Sequence, residues 1–228
     1  TARLNGTYVH VGSASIDLNV APYSVNPGDD ITTAMQTALN YIATNYLNGG
    51  EIYFSKPGQY LVNGAQQTGT AQGYSYSGQI LIPAVSLATS RPVRIRGAIP
   101  SSSGGQTTGA PNGTVFLSNA TSGYVFDIIP GFTEFGCPWT GIMPIFEDIV
   151  IRNAIDNPTA GGLNLLCTQR MRLNRVSIDT PNSFVAPSTG TKEALVMPQI
   201  YNNGDVTVRD TNIRGYPIGV RLGEHGVF

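Results

Sequence analysis

Charge is scarce in this chain. Only 12% of its 228 residues are Asp, Glu, Lys or Arg, and the net charge is −1. A nucleic-acid binder, or a protein held on an anionic membrane, carries basic patches. Here the arginines outnumber the lysines but are scattered, so neither partner is expected. Histidine is limited to His10 and His225, far apart, and cysteine to Cys137 and Cys167. Two cysteines make no disulfide framework, and two buried thiols are expected. No apolar run approaches the roughly 20 residues that span a bilayer, so membrane insertion is not expected. No CxxC, phosphate loop, Gly-x-Ser-x-Gly turn or cluster of metal ligands is visible. The chain opens on Thr1, with no basic start leading into an apolar run. A processed chain, or one cut from a longer one, is expected.

What is present is turn chemistry and short apolar runs. Gly, Ser, Thr and Asn are plentiful, as suits many short strands joined by turns. One stretch differs. Ile31, Met35, Leu39, Ile42 and Tyr46 recur at spacings of four, four, three and four, which predicts one amphipathic helix over about 30–47. Asp29 or Asp30 can cap its start, and Asn48-Gly49-Gly50 ends it. Residues 1–26 read as a lead-in with strands near 7–11 and 16–20. Strands are predicted from 51 onward, with loops at 63–78 and 129–144.

The second half repeats. "FEDIVI" (146–151), "LNRVSI" (173–178) and "VRDTNI" (208–213) are one strand type; "GLNL" (162–165), "ALVM" (194–197) and "GVRL" (219–222) are another. Uneven separations of 25 to 35 residues with variable loops are the mark of a solenoid.

The segment "GDDITTAMQTALNYI…GGEIYFSKPGQYLV" resembles the N-terminal signature of pectate-lyase-like right-handed parallel β-helix proteins. Asp29, Asp30, Ala34, Ala38, Gly49, Gly50, Tyr53, Phe54, Pro57, Gly58 and Tyr60 carry the match, and "VRIRGA" (93–98) resembles the strand that follows. "NPGDD" and "SKPG" depart from the family's Gly-Asp-Gly and Pro-Pro-Gly turns. The polygalacturonase carboxylate motifs are absent. The resemblance implies an all-β, right-handed, single-stranded parallel β-helix over 27–228, with a capping helix at 30–47 and coils from 51. The last strand carries no capping element, so a domain continued beyond Phe228 is expected.

The same resemblance implies a phage tailspike- or tail-fibre-like protein that binds, and in some members degrades, a cell-surface polysaccharide. It implies a homotrimer and an extracellular or virion-tail location. Two alternatives stay open: a secreted polysaccharide lyase or glycoside hydrolase, and a non-catalytic structural β-helix of a virion or adhesin. No cofactor is expected, with Ca²⁺ reserved for a lyase. Hydrolysis needs two carboxyl groups and elimination needs a base beside a neutralised uronate. The acids on or beside predicted strands are Asp127, Glu147, Asp148, Asp179, Asp205 and Asp210. Repeat alignment stacks Asp148, Arg175 and Asp210 in one column, read as a surface ion-pair ladder or as catalytic acids with a substrate-binding arginine. The loop "IPGFTEFGCPWTGIMP" adds Glu134 as a candidate acid and Phe135 and Trp139 as sugar-stacking faces; pinning of the loop is the alternative role for its aromatics. His225, in "GEHGVF", is a weak signal.

Overall fold

The computed structural model describes residues 2–4, 7–9, 12–85, 91–98, 113–134, 137–155, 159–168, 170–181, 192–199 and 206–223. A hairpin of β1 (Ala2–Leu4) and β2 (Thr7–Val9) precedes β3 (Ala14–Asp17) and helix α1 (Thr32–Asn45). Next come β4 (Gly50–Tyr53), β5 (Gly58–Val62), β6 (Gln67–Ala71), β7 (Tyr74–Ile82) and β8 (Arg91–Arg96). β9 (Thr114–Ser118), β10 (Tyr124–Ile128), β11 (Phe132–Glu134), β12 (Cys137–Trp139) and β13 (Ile142–Asn153) follow. The chain continues through β14 (Gly161–Asn164), β15 (Met171–Asp179), β16 (Glu193–Gln199), β17 (Val206–Arg209), β18 (Asn212–Ile213) and β19 (Ile218–Gly223).

Two sheets dominate. A nine-stranded sheet runs β3-β4-β8-β13-β15-β17 along its main path, joined by β5, β9 and β18. A six-stranded sheet runs β6-β7-β10-β14-β16-β19. Pairing is parallel except at β6–β7, while β1–β2 and β11–β12 are separate antiparallel hairpins. The sheets meet over one core, where Phe126 of β10 lies 5.2 Å from Phe146 of β13 and 6.2 Å from Phe116 of β9.

The expected right-handed, single-stranded parallel β-helix is corrected by this layout. The described strands form two open, largely parallel sheets with antiparallel additions and one helix, an α/β-like layering of parallel strands. The physical reason lies in what the repeats specify. Phe146, Leu173 and Val208 do fall in register on neighbouring strands, as do Leu163, Leu195 and Val220. Such columns require parallel strands with matched apolar faces. They do not dictate how the sheets that contain them are joined.

The helix follows its spacing. Ile31, Met35, Leu39 and Ile42 are buried, and Tyr46 packs against the core. The Gln36 amide donates to Leu81 O and accepts from Leu81 N, both at 2.8 Å, so α1 pairs with the backbone of β7 as a strand would. At the start, neither acid is the cap residue: Ile31 holds that position with no side-chain cap bond, and Asp30, one residue earlier, accepts from the Thr32 amide at 2.9 Å and the Thr32 hydroxyl at 2.6 Å. Asp29 instead accepts from the Asn26 amide at 2.7 Å and closes the preceding turn. At the far end, Arg91 donates to Ala43 O at 2.9 Å, a cation where the helix dipole is negative. Gly49 then turns the chain with φ +73°, and a Cβ there would collide with Pro92 O.

Candidate functional site

Alternation along the nine-stranded sheet sends Ile52, Ile95, Phe146 and Leu173 inward and their neighbours outward. Two outward columns result. One runs Ser15, Glu51, Arg94, Ile145, Arg172, Thr207; the other runs Asp17, Tyr53, Arg96, Glu147, Asn174, Arg209. Arg96 Nε lies 2.8 Å from Glu51 Oε1, and Arg94 lies 3.6 Å from Glu51 and 3.5 Å from Glu147. The Arg96 guanidinium stands 5.3 Å from the centre of the Tyr53 ring. Hydrogen bonding from Arg96 holds the Glu51 carboxyl below the usual carboxylate range, against the pull of burial. A shallow cleft of about 330 Å³ opens beside these groups, lined by Ser13, Ser15, Asn48, Glu51 and Arg94.

The predicted Asp148–Arg175–Asp210 column lies at the border of this face. Asp148 and Arg175 form a bidentate pair, with Arg175 Nε 2.5 Å from Oδ1 and Nη2 2.9 Å from Oδ2. This bonding raises the Arg175 pKa, and Asp210 contributes to the same field. All three residues have positive φ, at 58°, 53° and 50°. The reason is a bend within each strand pair: residues 142–147 of β13 pair with β8, and residues 149–153 pair with β9. The column is a set of corners, two of them tied by an ion pair. Asp148 is buried, and both of its carboxylate oxygens are held by Arg175.

The aromatic loop folds as the β11–β12 hairpin. Trp139 pairs with Phe132 in its register, and only 3% of its surface is exposed. So buried a ring offers no open face to a sugar. Glu134 lies in β11, opposite Cys137. Phe135, Asp205, His10 and His225 lie outside the described residues.

One of the six strand acids stands apart by its burial. Asp127, 1% exposed, sits in the wholly buried strand β10. It accepts from the Ser77 amide at 2.8 Å, the Ile128 amide at 2.7 Å and the Tyr74 hydroxyl at 3.3 Å. Asn164 donates to the Tyr74 oxygen at 2.5 Å. Burial pushes the Asp127 carboxyl up to about 6 against these bonds. The Tyr74 phenol is raised as well, by burial first and by Asp127 second. Nearby, Tyr124 donates to Glu193 at 2.7 Å, and Arg221 lies 3.1 Å from the same carboxylate. The local signal for this group is an Asp inside the apolar run "YVFDI".

Among the described residues, no group of three or more His, Cys, Asp or Glu side chains is arranged to hold a metal ion, and no helix is long and apolar enough to cross a membrane. Comparison of the chain with family models, curated proteins and solved structures found no match.

Proposed function

We propose that this chain recognises a cell-surface polysaccharide along the outer face of its nine-stranded sheet, as a tailspike- or tail-fibre-like protein of a virion. The supporting observation is the register-matched face itself. Arg94, Arg96, Glu51, Glu147, Tyr53 and Asn174 stand on strands about 4.8 Å apart, offering donors, acceptors and an aromatic ring in repeated rows. A hydroxyl-rich chain both donates and accepts, so a mixed-sign face suits it better than a field of one sign. An extracellular homotrimer belongs to this reading, and a monomer in sedimentation equilibrium counts against it.

The deciding experiment is calorimetric binding to a panel of bacterial surface polysaccharides. One or more should bind, Arg94→Ala with Arg96→Ala should weaken binding roughly tenfold or more, and Trp139→Ala should retain binding in its folded fraction. Failure of the whole panel overturns the proposal.

A second reading, polysaccharide cleavage, draws on Asp127, whose carboxyl is raised by burial. Hydrolysis needs a second carboxyl group as well. Release of reducing ends or unsaturated uronates from the same panel, lost in Asp127→Asn, would establish it. A Ca²⁺ requirement would accompany elimination rather than hydrolysis.

A further inference from the structure

The outward column that begins at Asp17 does not end on flat surface. Beside Asp17, at the β3 edge of the sheet, lies an open cleft of about 480 Å³ whose walls include Ser15, Val20, Pro22, Tyr23 and Tyr41. Val20 is 52% exposed and Tyr41 44% exposed, so apolar surface is left to water here. The two phenols are close enough that Tyr41 raises the Tyr23 pKa, after burial as the main cause. Tyr41 is steadied by an edge contact with Tyr46, with ring centres 5.7 Å apart. Asp17 is fixed too: its Oδ1 accepts from the amides of Asn19 at 2.9 Å and Ser55 at 3.3 Å. Its Oδ2 takes no hydrogen bond from the described residues.

We propose that this cleft is a subsite for a neutral sugar residue, reached by the polysaccharide strand that the sheet face binds. The inference rests on the polysaccharide-recognition reading and names the sugar class at its β3 end. Three features select that class. A pocket with apolar walls and a few fixed polar groups is the usual form of a small-ligand site. Tyrosine rings match the apolar CH face of a pyranose, and the Tyr41 ring is held in place by a hydrogen bond between its hydroxyl and that of Tyr46. Among the described residues Asp17 is the sole charged group lining the cleft, so its Oδ2 can accept from sugar hydroxyls, whereas a uronate would meet like charge there. Continuity comes from Ser15, which lines this cleft and the smaller one beside Glu51 and Arg94.

The test uses the intact chain and two oligosaccharide sets, neutral (glucan, mannan and galactan) and uronate-containing (polygalacturonate). Neutral oligosaccharides should bind, with Tyr41→Ala weakening them about tenfold and Val20→Trp, which fills the cleft from an exposed position, weakening them at least as much. Asp17→Asn should weaken them less and should admit uronates better. Preference of the wild-type chain for uronates would overturn the assignment. So would polysaccharide binding that responds to Arg94→Ala with Arg96→Ala but not to Tyr41→Ala or Val20→Trp, in which case face recognition stands and the subsite falls. Absence of binding to either set and to the surface-polysaccharide panel would sink both.

Discussion

Asp148 and Arg175 occupy successive corners of neighbouring strands, both left-handed in backbone conformation and joined by a bidentate ion pair. Two costs are balanced there. A non-glycine residue in the left-handed region loses roughly 1–2 kcal/mol, and the pair returns part of that. The pair is itself modest, because the Arg175 side chain is well exposed.

Substitution at this corner should therefore invert the usual strand preference. Asp148→Ala removes the pair and keeps the backbone cost, so the loss is that of the pair, about 1 kcal/mol. Asp148→Gly removes the pair and relieves the backbone, and should be the more stable of the two by about 1 kcal/mol. Urea midpoints at constant slope measure the difference. An alanine variant as stable as the glycine variant would show that the corner is not strained.

The helix carries the next expectation. Leu39 and Ile42 are buried against the core on the same face as Met35. Truncating Leu39 to Ala should cost about 2–5 kcal/mol. Replacing both Leu39 and Ile42 with Asp buries two unpaired charges and should give insoluble or unfolded protein. A soluble double variant with native circular dichroism would mean that α1 does not close the core.

How much of the molecule is legible in its sequence follows from how local each cause is. The helix face is readable because five apolar residues share one period. The in-register partners Ile149 and Val176, and Ile151 and Ile178, are readable because the repeats align them. The architecture is not: parallel columns suggest a β-helix that they do not by themselves dictate. The segment "QTGTA" reads as loop because it has no apolar alternation, yet it forms one strand of the β6–β7 hairpin. The anchor of that hairpin is the Ser77 amide on Asp127, fifty positions away. Trp139 reads as a sugar platform because no sequence signal tells a buried ring from an exposed one. The Tyr74–Asn164 contact joins residues ninety apart and leaves no local trace.

Asp127 supplies the last prediction. Its folded pKa, about 6, stands above the ordinary 3.8 of the unfolded chain. Between about pH 4 and pH 6 the folded protein thus holds a proton that the unfolded chain has released. Stability should fall as pH rises through that window and level off above it, the reverse of a salt-bridged carboxylate. A carboxyl displaced that far loses roughly 3 kcal/mol at the limit. Asp127→Asn keeps an acceptor for one backbone amide and cannot ionise, so its profile from pH 4 to pH 7 should lack this fall, the other titrating groups being common to both proteins. Thermal or urea unfolding of the pair across that range gives the difference directly. If the two profiles run parallel, Asp127 is ionised throughout, and the acid role suggested for it under the cleavage reading loses its basis.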